Sequence, residues 1–148
     1  MKFDLKGKTA VVTGGGSGIG KAIARALAGN GAEVHIFDLK EEAADEVVAE
    51  IVESGGLAHA HSCNVAVQEQ VMAKVKDIGE KASIDILINN AGIAHVGNIE
   101  AVKETDLDRL YNVNIKGVYN CIKASLPLLK ENGGGVILNL ASIASSVG

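Results

Sequence analysis

Aromatic rings, proline and cysteine are all scarce in this chain: its 148 residues include no Trp, two Phe, two Tyr, one Pro and two Cys. With so few rings the core must be assembled from Val, Ile, Leu and Ala, which suits close packing of helices on a sheet better than a ring-lined pocket. Cys63 and Cys121 are too few for a disulfide framework, so reduced thiols and a cytoplasmic location are expected. Basic runs are missing too, with 14 Lys and Arg against 18 Asp and Glu for a net charge of −4. That balance speaks against nucleic-acid binding, which rests on phosphate neutralisation, and against anionic membrane surfaces. No apolar run approaches the roughly 18 residues of a transmembrane helix. The segment from Met1 to Lys8 alternates charged with apolar residues and has no hydrophobic signal core. Neither nucleic acid nor membrane is therefore expected as a partner.

Glycine, by contrast, is abundant, with 18 residues, and short apolar runs alternate with helical periodicity along the whole chain. Lys8 to Thr13, Glu33 to Asp38, Leu57 to Cys63, Ile84 to Asn89 and Val136 to Leu140 read as strands. Ile19, Ile23 and Leu27 mark a first helix from Ser17 to Ala28, stopped by Asn30-Gly31. Ala44, Val47, Val48 and Ile51 mark a second helix, ended by Ser54-Gly55-Gly56, and Val67, Val71, Val75 and Ile78 a third. A long fourth helix is expected through Leu110, Val113, Val118, Ile122 and Leu126, opened by a capping box at Thr105-x-x-Asp108 and kinked near Pro127. Strands that are near-continuous apolar runs, alternating with helices, predict an α/β fold with a doubly wound, Rossmann-like parallel sheet. No linker divides the chain, so one domain over 1–148 is expected.

The sharpest local signal is Thr13-Gly14-Gly15-Gly16-Ser17-Gly18-Ile19-Gly20, between the first strand and the first helix. Glycine there permits tight turning, backbone approach to a phosphate and close helix–strand contact, while the helix start offers N–H groups to an anion. Two nucleotide sites compete for this loop. Gly15 to Lys21 opens a P-loop pattern, yet Ala22 stands where Ser or Thr would hold Mg²⁺. A dinucleotide site instead needs an acidic residue about 20 positions on, at the end of the second strand, and Asp38 lies there. A carboxylate there accepts hydrogen bonds from ribose hydroxyls and repels a 2′-phosphate, so NAD is expected over NADP.

Further motifs follow in order: Asn64-Val65, Asn89-Asn90-Ala91-Gly92, Val113-Asn114 and Asn139-Leu140-Ala141-Ser142. Together with the T-G-x-x-x-G-x-G loop, they make the chain resemble the short-chain dehydrogenase/reductase family over its whole length. The resemblance implies an NAD(P)-dependent enzyme transferring hydride between an alcohol and a carbonyl of a small-molecule substrate, as a homodimer or homotetramer. It also implies roles. Gly14, Gly16, Ser17 and Ile19 would line the pyrophosphate, and Asp38 and Leu39 the adenosine ribose. Asn64 and Val65 would flank the adenine, with Asn64 where the family more often has Asp. Asn90, Ala91 and Gly92 would form a turn beside the cofactor.

Of the family's catalytic Asn, Ser, Tyr and Lys, Asn114 and Ser142 fit the first two. The family's Tyr-x-x-x-Lys follows that Ser by about a dozen residues, and no such motif follows Ser142 in this sequence. The resemblance thus implies the cofactor-binding front part of a longer enzyme, with five strands of a larger sheet, ending after strand five through a chain boundary or proteolysis. Activity of these 148 residues alone is in doubt. The competing expectation is a non-catalytic NAD-binding or interaction module. Tyr119-x-x-x-Lys123 matches the pattern but lies upstream of Ser142, and is expected to be incidental. His59, His61 and Cys63 alternate along the third strand and could in principle hold zinc, but with no fourth ligand in view, no metal is expected. His95, after the fourth strand, is either a substrate neighbour or a loop residue.

Overall fold

A computed structural model describes residues 3–143. The elements run β1 (Thr9–Thr13), α1 (Gly18–Gly29), β2 (Glu33–Asp38), α2 (Glu41–Glu53), β3 (Leu57–Ser62), α3 (Gln68–Gly79), β4 (Ile86–Asn89), α4 (Glu104–Tyr111), a π-helical turn (Asn112–Lys116), α5 (Gly117–Glu131) and β5 (Val136–Asn139). All strand pairs are parallel, in the order β3-β2-β1-β4-β5. The chain therefore reverses its direction of winding between β1 and β4, and at such a switch point the loops leaving two neighbouring strands part to open a crevice.

Alternation along β1 builds the two halves of the core. Ala10 and Val12 face the apolar residues of α1 and α2, among them Ala24, Ala28, Ala44 and Val47. Val11 faces the other way, onto Val71 and Val75 of α3 and Cys121 and Leu129 of α5. Phe37 is the largest side chain that is fully buried. The alanines let α1 lie close to the sheet, which brings its first turn against the end of β1.

Several boundaries differ from the sequence expectation. The helix start lies at Lys103 rather than Thr105, because Asp106 Oδ2 reaches back to accept the Lys103 N–H at 3.2 Å. α5 runs through Pro127 to Glu131, and the change in helical geometry falls instead at Asn112–Lys116. β4 starts at Ile86 rather than Ile84, although the backbone of Asp85 still bonds Thr9 and Val136 on either side. The Asp85 carboxylate takes the Thr9 N–H at 2.9 Å, the Lys8 ammonium at 2.9 Å and the Asn132 amide at 2.9 Å. Burial works against that charge, but the three donors outweigh it and hold the Asp85 carboxyl below its ordinary range. Among the described residues β3 and β5 are the sheet edges, and Val136 and Leu138 on β5 remain exposed.

Candidate functional site

The crevice at the β1–β4 switch point is a cleft of about 400 Å³, within the usual range for small-molecule sites. On one side, Gly14 and Gly18 turn the chain at φ of 62° and 52°, left-handed conformations that favour glycine. Gly20 is needed for a different reason: a side chain there would strike the Gly14 carbonyl and the Asn90 amide. Ser17, in extended conformation at the N-cap of α1, makes no side-chain capping bond, and the first turn of α1 carries no acidic residue. The positive end of α1 therefore faces the cleft without a carboxylate of its own to neutralise it.

The far wall is tied to this loop through Thr13. Its buried hydroxyl accepts the N–H of Asn90 at 3.1 Å and of Ala91 at 2.9 Å. The Asn90 amide donates in turn to the carbonyls of Thr13, at 3.0 Å, and Gly14, at 3.1 Å. These bonds lock the turn after β4 to the end of β1.

At the mouth, Asp38 ends β2 with its carboxylate pinned at both oxygens. Oδ2 accepts the Gly16 N–H at 2.9 Å and Oδ1 the Lys40 N–H at 3.0 Å. Gly16 itself does not line the cleft; a Cβ there would come within 2.8 Å of Asp38 Oδ2, so its bareness is what lets the carboxylate approach. The other expected cofactor-binding residues (Gly14, Ser17, Ile19, Asp38, Leu39, Asn64, Val65, Asn90, Ala91 and Gly92) all line the cleft. Ile19 and Leu39 are well exposed there, 65% and 69%, as apolar surface offered at the opening. Asn64 Oδ1 already accepts the Ala66 N–H at 3.0 Å, leaving one lone pair for a further donor.

Phe37, Cys63, Ile93 and Val113 also line the cleft, and sequence reasoning did not single them out as binding residues. Burial pushes the Cys63 thiol up to about 11, so this cleft cysteine is protonated and unreactive at neutral pH.

Asn114 lies behind the wall, in the π-helical turn. Its Oδ1 accepts the Ile93 N–H and its Nδ2 donates to the Ile93 carbonyl, both at 2.8 Å, so the side chain fixes the loop after β4 from behind. Such wide turns recur at functional sites because they redirect one side chain without ending the helix. Ser142 is exposed, just beyond β5. Lys21, the would-be phosphate lysine of a P-loop, is turned away and bonds Glu50 on α2 at 2.6 Å. Tyr119 and Lys123 lie on the outer face of α5, 3.3 Å apart, against Ile115, Ile122 and Leu126, and neither lines the cleft. His95 Nε2 sits 3.8 Å from Asp106.

His59, His61 and Cys63, which alternate along and just past β3, have separate partners. His61 Nε2 meets His35 Nδ1 at 2.9 Å, His59 Nε2 meets Glu33 Oε1 at 2.6 Å, and Cys63 joins the apolar core. Burial holds the His35 and His61 imidazoles at about 4.

The sequence model of the short chain dehydrogenase family matches residues 8–148. An uncharacterized oxidoreductase of Thermotoga maritima is 41% identical over 146 residues, covering 99% of this chain and 58% of that protein. The structure of a 7α-hydroxysteroid dehydrogenase complexed with NADH and 7-oxo glycochenodeoxycholic acid superposes with a TM-score of 0.91 at 36% identity, over 97% of this chain and 56% of the other. A metagenomic short-chain oxidoreductase in complex with NADP gives a TM-score of 0.90 at 35% identity, over 93% and 63%. The chain thus spans less than two thirds of the length of each.

Proposed function

The chain belongs to the short chain dehydrogenase family, and from that premise we propose that it forms the cofactor-binding part of an oxidoreductase that uses NAD in preference to NADP. The observation that carries the preference is the Asp38 carboxylate, held by the Gly16 and Lys40 N–H groups at the mouth of the switch-point cleft. A carboxylate fixed by backbone donors cannot swing aside to admit a 2′-phosphate, and Lys40 is the only cation within two positions of it in sequence. The cleft fits such a cofactor in its own terms. Bare glycines and the start of α1 would receive the pyrophosphate, Asp38 the ribose, and Asn64 and Val65 the adenine.

When bound, the nicotinamide supplies the hydride acceptor or donor for interconversion of an alcohol and a carbonyl. The chain's own part is to bind and orient. Asn90, Ala91 and Gly92 wall the inner end of the cleft. Asn114 acts as a positioning residue through Ile93, and Ser142, beyond β5, takes the family's role of polarising a substrate oxygen. The exposed apolar strip of Ile115 in the π-helical turn and Tyr119 and Leu126 on α5 supports association with a second copy of the chain.

The test is a comparison of NADH and NADPH affinity by calorimetry, in wild type and Asp38→Asn. A carboxylate about 5 Å from a phosphate charge repels it by about 3 kcal/mol at an effective dielectric of about 20. Discounted for exposure, about 1–2 kcal/mol remains, roughly tenfold in favour of NADH. Asp38→Asn should erase most of that margin. Equal affinities in wild type, or a margin unchanged by Asp38→Asn, would contradict the assignment.

A further inference from the structure

Along β2 and β3, three histidines and a glutamate share one face of the sheet. The register sets His35 of β2 directly beside His59 of β3 and Phe37 beside His61, so all three imidazoles project toward α3. The His35 ring stacks on His59 at 4.8 Å and on His61 at 5.1 Å. Glu33, His35 and His59 each bring a ligand atom within 4.8 Å of the others. They border a hollow of about 320 Å³ closed on the α3 side by Asp77, Ile78 and Lys81.

One atom of this group is unaccounted for. His35 Nε2 is buried and has no hydrogen-bond partner, with Glu33 Oε1 4.0 Å away. An unpaired buried nitrogen is unfavourable, and this one borders a hollow beside two further ligand groups. The remaining bonds define what that ligand is. With His35 Nδ1–H donating to His61 Nε2, 2.9 Å away, the free lone pair is the one on Nε2. His59 Nε2 and Glu33 Oε1 stand beside it, 2.6 Å apart.

We propose that Glu33, His35 and His59 form a binding site for one divalent transition-metal ion, zinc foremost, with His61 orienting His35 from behind. Two imidazoles and a carboxylate, with one position left to water, are a donor set that zinc accepts. A metal-bound His whose other nitrogen is fixed by a hydrogen bond is the usual supporting arrangement. Tetrahedral ligands on zinc lie about 3.3 Å apart. The Glu33–His59 contact must therefore open, and the Glu33–His35 distance close, by about 0.7 Å each, while the His35–His59 pair, within 4.8 Å, draws in by up to about 1.5 Å. The His59 side chain is 51% exposed and that of Glu33 35%, so these two move while buried His35 stays as the anchor. Two carboxylates, Glu33 and Asp77, border the hollow, with Lys81 on its rim and Lys74 acting on His61. The bound ion would fasten β3, a sheet edge among the described residues, to β2, and its three ligands do not line the cofactor cleft.

The proposal is tested on chelator-treated protein by Co²⁺ titration, read by ligand-field absorption, and by Zn²⁺ competition. One ion per chain is expected, with Zn²⁺ raising the thermal midpoint of wild type. His59→Ala, an exposed change, and Glu33→Gln, which keeps the shape, should each weaken binding by roughly tenfold or more and abolish the midpoint shift, while His95→Ala binds as wild type does. Circular dichroism and the metal-free midpoint confirm that the variants fold. Undiminished zinc binding in both ligand variants, loss of binding in His95→Ala, or no saturable binding to wild type would overturn it.

Discussion

Thr13→Val removes one oxygen while keeping the shape of a side chain that is 1% exposed. The Thr13 hydroxyl satisfies the N–H groups of Asn90 and Ala91, at 3.1 and 2.9 Å, and leans toward the Ile88 carbonyl at 3.4 Å. Valine leaves both N–H groups unpaired against an apolar methyl. Each unpaired buried donor is unfavourable by about 1–3 kcal/mol, and the longer Ile88 contact adds little. Taking the lower part of that range, the loss is about 2–4 kcal/mol. That is a large share of the roughly 5–15 kcal/mol available to a domain. In a chain of this length it lowers the thermal midpoint by roughly 5–15 °C. Urea unfolding followed by circular dichroism reads the stability directly, provided the slope is unchanged between variants. NADH affinity should fall as well, since the Asn90–Ala91 turn forms the wall of the cleft, and Thr13→Ser should recover most of both. A Thr13→Val protein within about 0.5 kcal/mol of wild type would refute the reasoning that this hydroxyl locks the two walls together.

Asp85→Asn keeps the shape of the side chain but removes the charge that draws the Lys8 ammonium, the Thr9 N–H and the Asn132 amide together, and should destabilise the fold by about 1–3 kcal/mol in urea. Asp85 also sets an acid limit. Its carboxyl is held below the ordinary 3.8 in the fold, so its contribution is complete above that pH and is lost as pH falls through and beneath it. Asp85→Asn should therefore show a shallower fall of the thermal midpoint below about pH 4 than wild type does. Tyr119→Phe should leave NADH affinity unchanged, because the tyrosine lies outside the cleft on α5, and a large loss of binding would overturn that placement.

Much of the fold was legible because local pattern and tertiary context agree. β2 runs from Glu33 to Asp38 as its apolar run indicates, and α1 differs from expectation by a residue at each end. The glycine loop and Asp38 could be read together because their spacing belongs to one βαβ unit and needs no distant contact. Features made by partners far apart in sequence were hidden. Thr13 reads as the end of a strand, and only β4 beside it turns its hydroxyl into a tether. Asn114 shows no local sign that both its side-chain atoms are committed to Ile93, nor does the helix pattern announce the π-helical turn around it. His59, His61 and Cys63 alternate as a possible trio, yet the cross-strand register brings in Glu33 and His35 and consigns Cys63 to the core. The helix start escaped notice because the Thr105 signal competed with Asp106, whose carboxylate reached Lys103 first.

The central claim is that NAD occupies the cleft at the β1–β4 switch point. Amide chemical shifts of the ¹⁵N-labelled chain during NADH titration test it most directly. The account predicts saturable movement at Gly14, Gly16, Asp38, Asn64 and Ala91, with the β2–β3 amides around His35 and His59 left in place. Shifts confined to the amides around His35 and His59, or none at millimolar NADH, would contradict it.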